Sequence, residues 1–342
     1  MIATQSDPVP GPSATGPKNS TPARVRSVLG DVDPVDLGSV NYHEHLFQVT
    51  PLLAGDELTD ERLSMREAQL LLTSGFTAMV DATPIGLGRN PAALARISQH
   101  IGLGVVATTG GHREAHYGSS HWLVQASTTE LARMFGRDVI EGMPIRDDPA
   151  AQSAALGPSS RPVRAGMLKA GVGFWSITAF ERRVLEAVAI VHRRTAAPVM
   201  VHLEHGSAAF EVLDILAGHG VEPSAVVLAH MDRNPDAGLH AEIADRGAYL
   251  GYDGAARHQY WSDESLIDCL IRAADRGAAD RIVLGGDVAR SSRYVAYGGM
   301  PGLQYLGHRF VPRLQAAGGI PLVTKVLRTN PHRLLARFDL QG

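Results

Sequence analysis

The chain has few cysteines and no long hydrophobic run, and each shortage argues against a class of protein. Its one cysteine among 342 residues, Cys269, has no partner for an internal disulfide, so nothing in the sequence indicates an oxidising compartment. Cys269 lies in a helix-like pattern and is predicted to be a small buried residue rather than a nucleophile. No segment approaches about 18 uninterrupted apolar residues, so no membrane span is predicted.

The chain also lacks a strong excess of either charge. The formal net charge is −3, which argues against a surface that binds nucleic acid. The first 24 residues are rich in Pro, Ser, Gly and Thr and lack the apolar run of a secretory signal. We therefore predict a disordered tail over residues 1–24, one folded domain over 25–342, and a cytoplasmic location.

Lysine is scarce. Only three of the 32 basic residues are lysines, and one of them, Lys169, lies inside the apolar run Gly166–Gly173. Burial lowers the pKa of a lysine, and a neutral amine can react with carbon dioxide to form a carbamate, which is a carboxylate on a long arm. The alternative is a lysine at a strand end that extends its amine to solvent. The residues around Lys169 do not decide between the two.

Short apolar runs alternate with longer helical patterns, one of which covers residues 179–191. This alternation favours a parallel (β/α)₈ barrel over an open sheet. The segment 112–164 between the third and fourth strands is long enough to be a lid, with a helix over 128–141 and a linker over 144–162. The eight predicted strands are 40–45, 77–82, 104–109, 166–173, 198–202, 225–230, 248–253 and 281–287.

Potential metal ligands stand at or near the carboxyl ends of these strands, where barrel enzymes place their chemistry. Residues two apart in a strand face the same side, so two histidines of the first strand can both face the barrel axis. A cluster of imidazoles and carboxylates suits Zn²⁺, Mn²⁺ or Co²⁺. The residues concerned are His43, His45, Lys169, His202, His230 and Asp287.

These residues stand in motifs that resemble the phosphotriesterase family of the amidohydrolase superfamily. The motifs are Tyr42–Leu46, Val80–Thr83, Leu168–Lys169, Val201–His202, His230, Gly286–Asp287 and Thr329–Leu334, and the resemblance runs from about Val25 to Phe338. It implies a binuclear metal-dependent hydrolase, with zinc as the expected metal and manganese or cobalt as alternatives. Members of the family are commonly dimers, although no stripe in this sequence marks an interface.

The resemblance also assigns roles to residues. Lys169 would be an N6-carboxylysine that bridges the two metals, and a hydroxide held between the metals would be the nucleophile. His43, His45 and Asp287 would complete the more buried metal, and His202 and His230 the more exposed one. Asp287 would accept the proton of the hydroxide.

The loops indicate the substrate class. Arg233 stands where the organophosphate hydrolases have a second acidic residue, and Gly254 follows Asp253 where they have a histidine. The loops 85–89 and 287–302 resemble instead the lactonases and the enzymes that open phosphorylated sugar lactones. We therefore predict a lactone or carboxylic ester with an anionic group, bound by Arg257, Arg290, Arg293, Tyr294 and His112.

Four alternatives stay open. The same metal centre could cleave phosphotriesters or N-acyl amides. A barrel amidohydrolase with one metal would need no carbamate at Lys169. A binding protein could have kept the barrel without activity.

Overall fold

The computed structural model describes residues 23–151 and 153–336, so the predicted tail lies outside the described residues except for Ala23 and Arg24. A short antiparallel hairpin, β1 (Val25–Ser27) and β2 (Gly30–Val32), comes first. Arg26 in β1 holds Asp31 in β2 with two hydrogen bonds of 2.9 and 3.0 Å. This ion pair joins the two short strands.

Eight parallel strands follow in sequence order and confirm the predicted barrel. The barrel is nearly closed, because the backbone N–H of Asp287, just past the last strand, donates to the carbonyl of His43 in the first (3.0 Å). The strands are β3 (Val40–Glu44), β4 (Ala78–Asp81), β5 (Gly104–Gly110), β6 (Met167–Val172), β7 (Val199–Leu203), β8 (Val226–Ala229), β9 (Tyr249–Tyr252) and β10 (Ile282–Leu284).

Side chains alternate between the barrel interior and the layer under the helices. In β6, Met167 belongs to the interior cluster, whereas Leu168 and Ala170 pack in the outer layer. Lys169 is two residues from Met167 and fully buried, so the two-residue period of a strand points it into the barrel. The apolar run thus places a lysine on the interior face.

The first barrel strand departs from this alternation. Its pairing with β4 shifts register between Asn41 and Glu44. As a result Tyr42 and His43, adjacent in sequence, both bond to the same carboxylate, that of Asp253. Strict alternation would have put their side chains on opposite faces.

Helices surround the barrel, and side-chain caps mark where several begin. Helix α5, for example, starts after Thr178, whose hydroxyl accepts from the backbone of Glu181 while the Glu181 carboxylate accepts from the backbone of Thr178. No helix of the described residues is both long and apolar enough to cross a membrane. The helices are α1 (Glu61–Thr73), α2 (Pro91–Ile101), α3 (Trp122–Gln125), α4 (Thr128–Ile140), α5 (Ala179–Thr195), α6 (Ala209–Gly218), α7 (Ala237–Asp245), α8 (Asp263–Asp275), α9 (Val311–Thr324) and α10 (Asn330–Leu335).

The predicted lid divides into two parts. His112, Arg113 and His116 border the main cavity, so the first part covers the carboxyl end of the barrel. Helix α4 packs against α5 as an ordinary outer helix, and the predicted linker folds back on itself through paired residues such as Pro144 and Ala154. Of the described residues of this segment, those after 126 contribute nothing to the cavity wall.

A buried ion cluster fastens the linker to the loop after β4. The Arg89 guanidinium lies 2.8 Å from Asp138 and 2.8 Å from Asp147, and both Arg89 and Asp138 are buried. Asp147 also accepts the backbone N–H of Gly86 (2.7 Å). The loop 85–89, whose Leu87 lines the main cavity, is therefore held from behind by charge-assisted hydrogen bonds.

Candidate metal centre and substrate cavity

A cavity of about 340 Å³ opens at the carboxyl ends of the barrel strands. Five of the six predicted metal ligands line it: His43, His45, His202, His230 and Asp287. The sixth, Lys169, is fully buried, with Nζ 3.4 Å from Nε2 of His43. Six side chains from five separate parts of the sequence thus converge at one end of the barrel.

Two of the four histidines turn Nε2 toward Asp287. His43 and His45 have Nε2 3.6 and 3.5 Å from Oδ1 of Asp287. The outer nitrogen of each ring has a partner, since Nδ1 of His43 lies 3.0 Å from Asp253 and Nδ1 of His45 lies 2.7 Å from the Thr83 hydroxyl. The Thr83 hydroxyl donates to the carbonyl of Phe47 (2.8 Å), so it accepts the proton of His45. This fixes Nε2 of His45 as the nitrogen with a free lone pair.

The other two histidines face each other. Nε2 of His230 lies 2.7 Å from Nδ1 of His202. Their outer nitrogens lie beside carboxylates: Nδ1 of His230 is 2.6 Å from Asp253, and Nε2 of His202 is 3.2 Å from Glu204. Burial lowers the pKa of both imidazoles, with nearby positive groups adding to the effect, so the rings are neutral.

Asp253, which was assigned no role from the sequence, organises the cluster. Its Oδ2 accepts from the Tyr42 hydroxyl, from Nδ1 of His43 and from the backbone N–H of His230, while Oδ1 accepts from the His230 ring. Burial alone would raise the pKa of this carboxyl, but His230 and His43 hold it well below its usual range. Since both oxygens are occupied by protein donors, Asp253 orients histidines rather than offering a ligand atom.

Lys169 has no counter-ion among the residues that the structure describes. Its Nζ contacts the sulfur of Met200 (3.1 Å) and His43, and no carboxylate oxygen of the described residues lies within 4.0 Å of it. Burial lowers the pKa of Lys169 to about 8, although Asp287 and Asp253 oppose the shift. The amine is therefore mostly protonated near neutral pH, but its neutral fraction is far larger than that of an exposed lysine.

Asp287 lies between the histidines and two arginines. One carboxylate oxygen, Oδ2, is 3.0 Å from Arg233 and 2.6 Å from Arg257, and Arg257 also donates to the Asp287 carbonyl. Burial alone would raise the pKa of Asp287, but Arg257 and neighbouring histidines hold it well below its usual range. The carboxylate is ionised at neutral pH.

Four arginines line the cavity: Arg113, Arg233, Arg257 and Arg290. Arg257 and Arg290 were predicted to contact substrate, whereas Arg113 and Arg233 were not. Buried Nε atoms of Arg113, Arg233 and Arg257 have no hydrogen-bond partner within the described residues. The cavity wall is therefore rich in positive charge.

The other three predicted substrate contacts have different positions. His112 is buried and lines the cavity, with its ring 4.4 Å from that of His202. Arg293 donates to the carbonyl of Val288 (3.4 Å) and is absent from the cavity wall. Tyr294 is fully buried and donates to the carbonyl of His45, so it lies behind a histidine instead of facing the cavity.

Sequence reasoning missed several residues of the site. Asp253 follows β9 directly, so the strand-end rule that selected the histidines could have selected it as well. Glu204 follows β7 directly, so the same rule could have selected it too, whereas Arg113 and Arg233 lie three and four residues past a strand, beyond that rule. His116, six residues past β5, lines the cavity as well. In the last predicted motif, the Asn330 amide donates to the carbonyls of Ala279 (2.9 Å) and Ile282 (2.7 Å).

Among the described residues, two groups have ligand atoms close enough to share a cation: His43 with His45 and Asp287, and His43 with His230 and Asp253. The first consists of the three residues that were predicted to complete the more buried metal. The second includes Asp253, whose oxygens are already taken. Fold and cluster together place the protein in the class of (β/α)₈ barrel enzymes with a candidate metal centre at the carboxyl end of the strands.

The chain belongs to the phosphotriesterase family, whose model matches residues 23–335. It is 29% identical over 334 residues to a protein of Mycoplasmopsis synoviae named phospho-furanose lactonase, with 92% of each chain covered. Its fold is similar to that of a lactonase from Listeria monocytogenes (TM-score 0.82, 28% identity, 92% of this chain and 99% of that chain). An amidohydrolase from Mycoplasma synoviae is similar as well (TM-score 0.86, 27% identity, 94% and 93%). The protein is a lactonase-like hydrolase that acts on ester bonds.

Proposed function

We propose that the protein is a two-metal hydrolase that opens a lactone, or cleaves a carboxylic ester, whose substrate carries a negative group such as a phosphate. One observation carries the proposal: four arginines and the histidine–aspartate cluster share a single cavity. A guanidinium suits bidentate binding of a phosphate or carboxylate. The name of the similar M. synoviae protein, phospho-furanose lactonase, points to the same substrate class.

The donor set fits two divalent cations. His43, His45 and Asp287 would hold one, His202 and His230 the other, with Lys169 between them. Imidazole nitrogens with carboxylate oxygens suit Zn²⁺ best, and Mn²⁺ or Co²⁺ as alternatives. Two bound cations would supply Lewis acidity toward the substrate carbonyl and would lower the pKa of water.

Lys169 would join the two halves of this set as a carboxylysine. The lone pair of its neutral amine forms a bond to the carbon of carbon dioxide, and one N–H proton leaves to solvent. The product is a carboxylate, which suits divalent cations better than an ammonium does. The buried amine, which has a sulfur and a histidine as its contacts and no counter-ion, favours this change.

The other residues would handle the substrate and the proton. A water oxygen would bond to the carbonyl carbon as the C=O π pair moves to oxygen, and Asp287 would accept the proton that this water loses. The carbonyl would then re-form as the C–O bond to the leaving oxygen breaks, and the leaving alkoxide would take the proton from Asp287. Arg257 and Arg290 hold the anionic group away from the carbonyl, and Arg113 and Arg233 add positive charge to the same cavity. His112, buried beside His202, lines the wall where the substrate would rest.

A hydrolysis screen with zinc- or manganese-loaded protein tests this function. Neutral lactones, phosphorylated lactones, N-acyl amines and neutral phosphotriesters are compared by kcat/KM, and phosphorylated lactones should rank first. Arg290→Glu should raise KM for the phosphorylated lactone far more than for the neutral one. Arg62→Glu, at an exposed position on α1, is the matched control. Equal effects of Arg290→Glu on both lactones would contradict the anionic substrate.

A further inference from the structure

Glu204 stands beside His202 but has no place in the proposed chemistry. It follows β7 directly, lines the cavity, and has its Oε2 3.2 Å from Nε2 of His202. The same oxygen lies 3.0 Å from Nη2 of Arg113, which comes from the loop after β5. The second oxygen, Oε1, is 3.5 Å from the ring of His205.

The position of the carboxylate decides which nitrogen of His202 carries the proton. A neutral imidazole has one N–H, and a carboxylate can only accept. When Nε2 donates to Glu204, the proton is absent from Nδ1. The lone pair of Nδ1 then faces His230, on the side of the predicted metal cluster.

A carboxylate also decides which ring nitrogen of His230 carries the proton. Its Nδ1 donates to Asp253 at 2.6 Å, which leaves a lone pair on Nε2. Two lone pairs therefore face each other across the 2.7 Å between His202 and His230. This contact is repulsive unless the two nitrogens share a cation. Glu204 and Asp253, which accept from the opposite nitrogens, thus leave each ring with a lone pair that can bind the same ion.

We propose that Glu204 is a positioning residue that fixes the tautomer and orientation of His202 for the more exposed metal, and that Arg113 holds Glu204 in that role. The inference rests on the proposed two-metal function. Arg113 matters because Glu204 is partly exposed at the cavity wall and needs a second contact to stay on His202. A cavity arginine is thereby linked through one carboxylate to a metal ligand.

Metal titration of the full-length protein tests this role. Wild type, Glu204→Ala, Glu204→Gln and Arg113→Met are titrated with zinc against a chromophoric chelator, and the melting temperature of each metal-stripped protein is recorded. Glu211→Gln, an exposed position on α6, is the matched control. Glu204→Ala should lower the affinity for one of two zinc equivalents by about 10- to 100-fold and leave the other unchanged.

The variants separate positioning from other roles. Glu204→Gln should lose less affinity than Glu204→Ala, because its amide oxygen still accepts from His202. Arg113→Met should weaken the binding of the same zinc equivalent. This variant tests the positioning role of Glu204 if Glu204→Ala does not fold. Glu204→Ala could instead bind two equivalents of zinc with wild-type affinity and show only a raised KM for the phosphorylated lactone. Glu204 would then be a substrate contact, and this inference would be overturned while the proposed function would stand. A wild-type protein that binds no zinc would overturn the proposed function as well.

Discussion

The change Asp253→Asn separates the orienting role of Asp253 from its packing, because asparagine keeps the size and shape of the side chain. The carboxylate accepts four hydrogen bonds, three on Oδ2 and one on Oδ1. Asparagine has one acceptor oxygen and one donor NH₂. The amide oxygen satisfies the three donors when it takes the Oδ2 position, and the NH₂ then faces Nδ1 of His230.

That contact reverses the tautomer of His230. Nδ1 of His230 must accept from the NH₂, so the single ring proton moves to Nε2, the nitrogen that faces His202. A protonated Nε2 has no lone pair for a metal. We expect the affinity for the more exposed metal to fall by about 10- to 100-fold, which corresponds to about 1.4–2.8 kcal/mol.

The stability of the metal-stripped protein should change much less than the zinc affinity. The variant exchanges a charge-assisted hydrogen bond between His230 and Asp253 for a neutral one, but the proton on Nε2 also turns the repulsive contact with His202 into a hydrogen bond. Urea unfolding of the metal-stripped protein measures its stability, and chelator competition measures zinc affinity. Asp268→Asn, at an exposed position on α8, is the control for a lost negative charge. Wild-type affinity for two zinc equivalents in Asp253→Asn would refute the tautomer argument.

Three further predictions concern other parts of the chain. Native mass spectrometry of wild type equilibrated with bicarbonate should show the added mass of one carbon dioxide, which Lys169→Met should lack; an unmodified wild type contradicts carboxylation. Arg89→Met should cost about 3–5 kcal/mol in urea unfolding, because it leaves Asp147 without its counter-ion and the buried Asp138 with Arg137 alone; a loss under about 1 kcal/mol would contradict this. Burial alone would raise the pKa of Asp31, but Arg26 and neighbouring arginines lower it below 3.8. Wild type should therefore be more stable than Asp31→Asn at neutral pH, and this advantage should vanish as pH falls through the lowered pKa; a difference that persists at lower pH would contradict it.

The local pattern of apolar residues along the chain was sufficient to predict the barrel architecture. Eight short apolar runs separated by helical patterns predicted the barrel, and the observed strands differ from the predicted ones by a few residues at their ends. The reason is that strands buried on both faces need continuous apolar sequence, which any reading of the chain can detect. The prediction of a lid over residues 112–164 was less successful. Its length was visible, but the packing of α4 against α5 depends on a partner helix some fifty residues away.

The sequence by itself determined which side chains reach the carboxyl end of the barrel, because the carboxyl ends of all the parallel strands lie at the same end of the barrel. Only the tertiary structure decided which atoms of those side chains face inward. The orientation of His202 and of His230 is set by Glu204 and Asp253, and that of His45 by Thr83. Hydrogen bonds between separate strands and loops have no periodicity along the chain, so no pattern in the sequence could have supplied them.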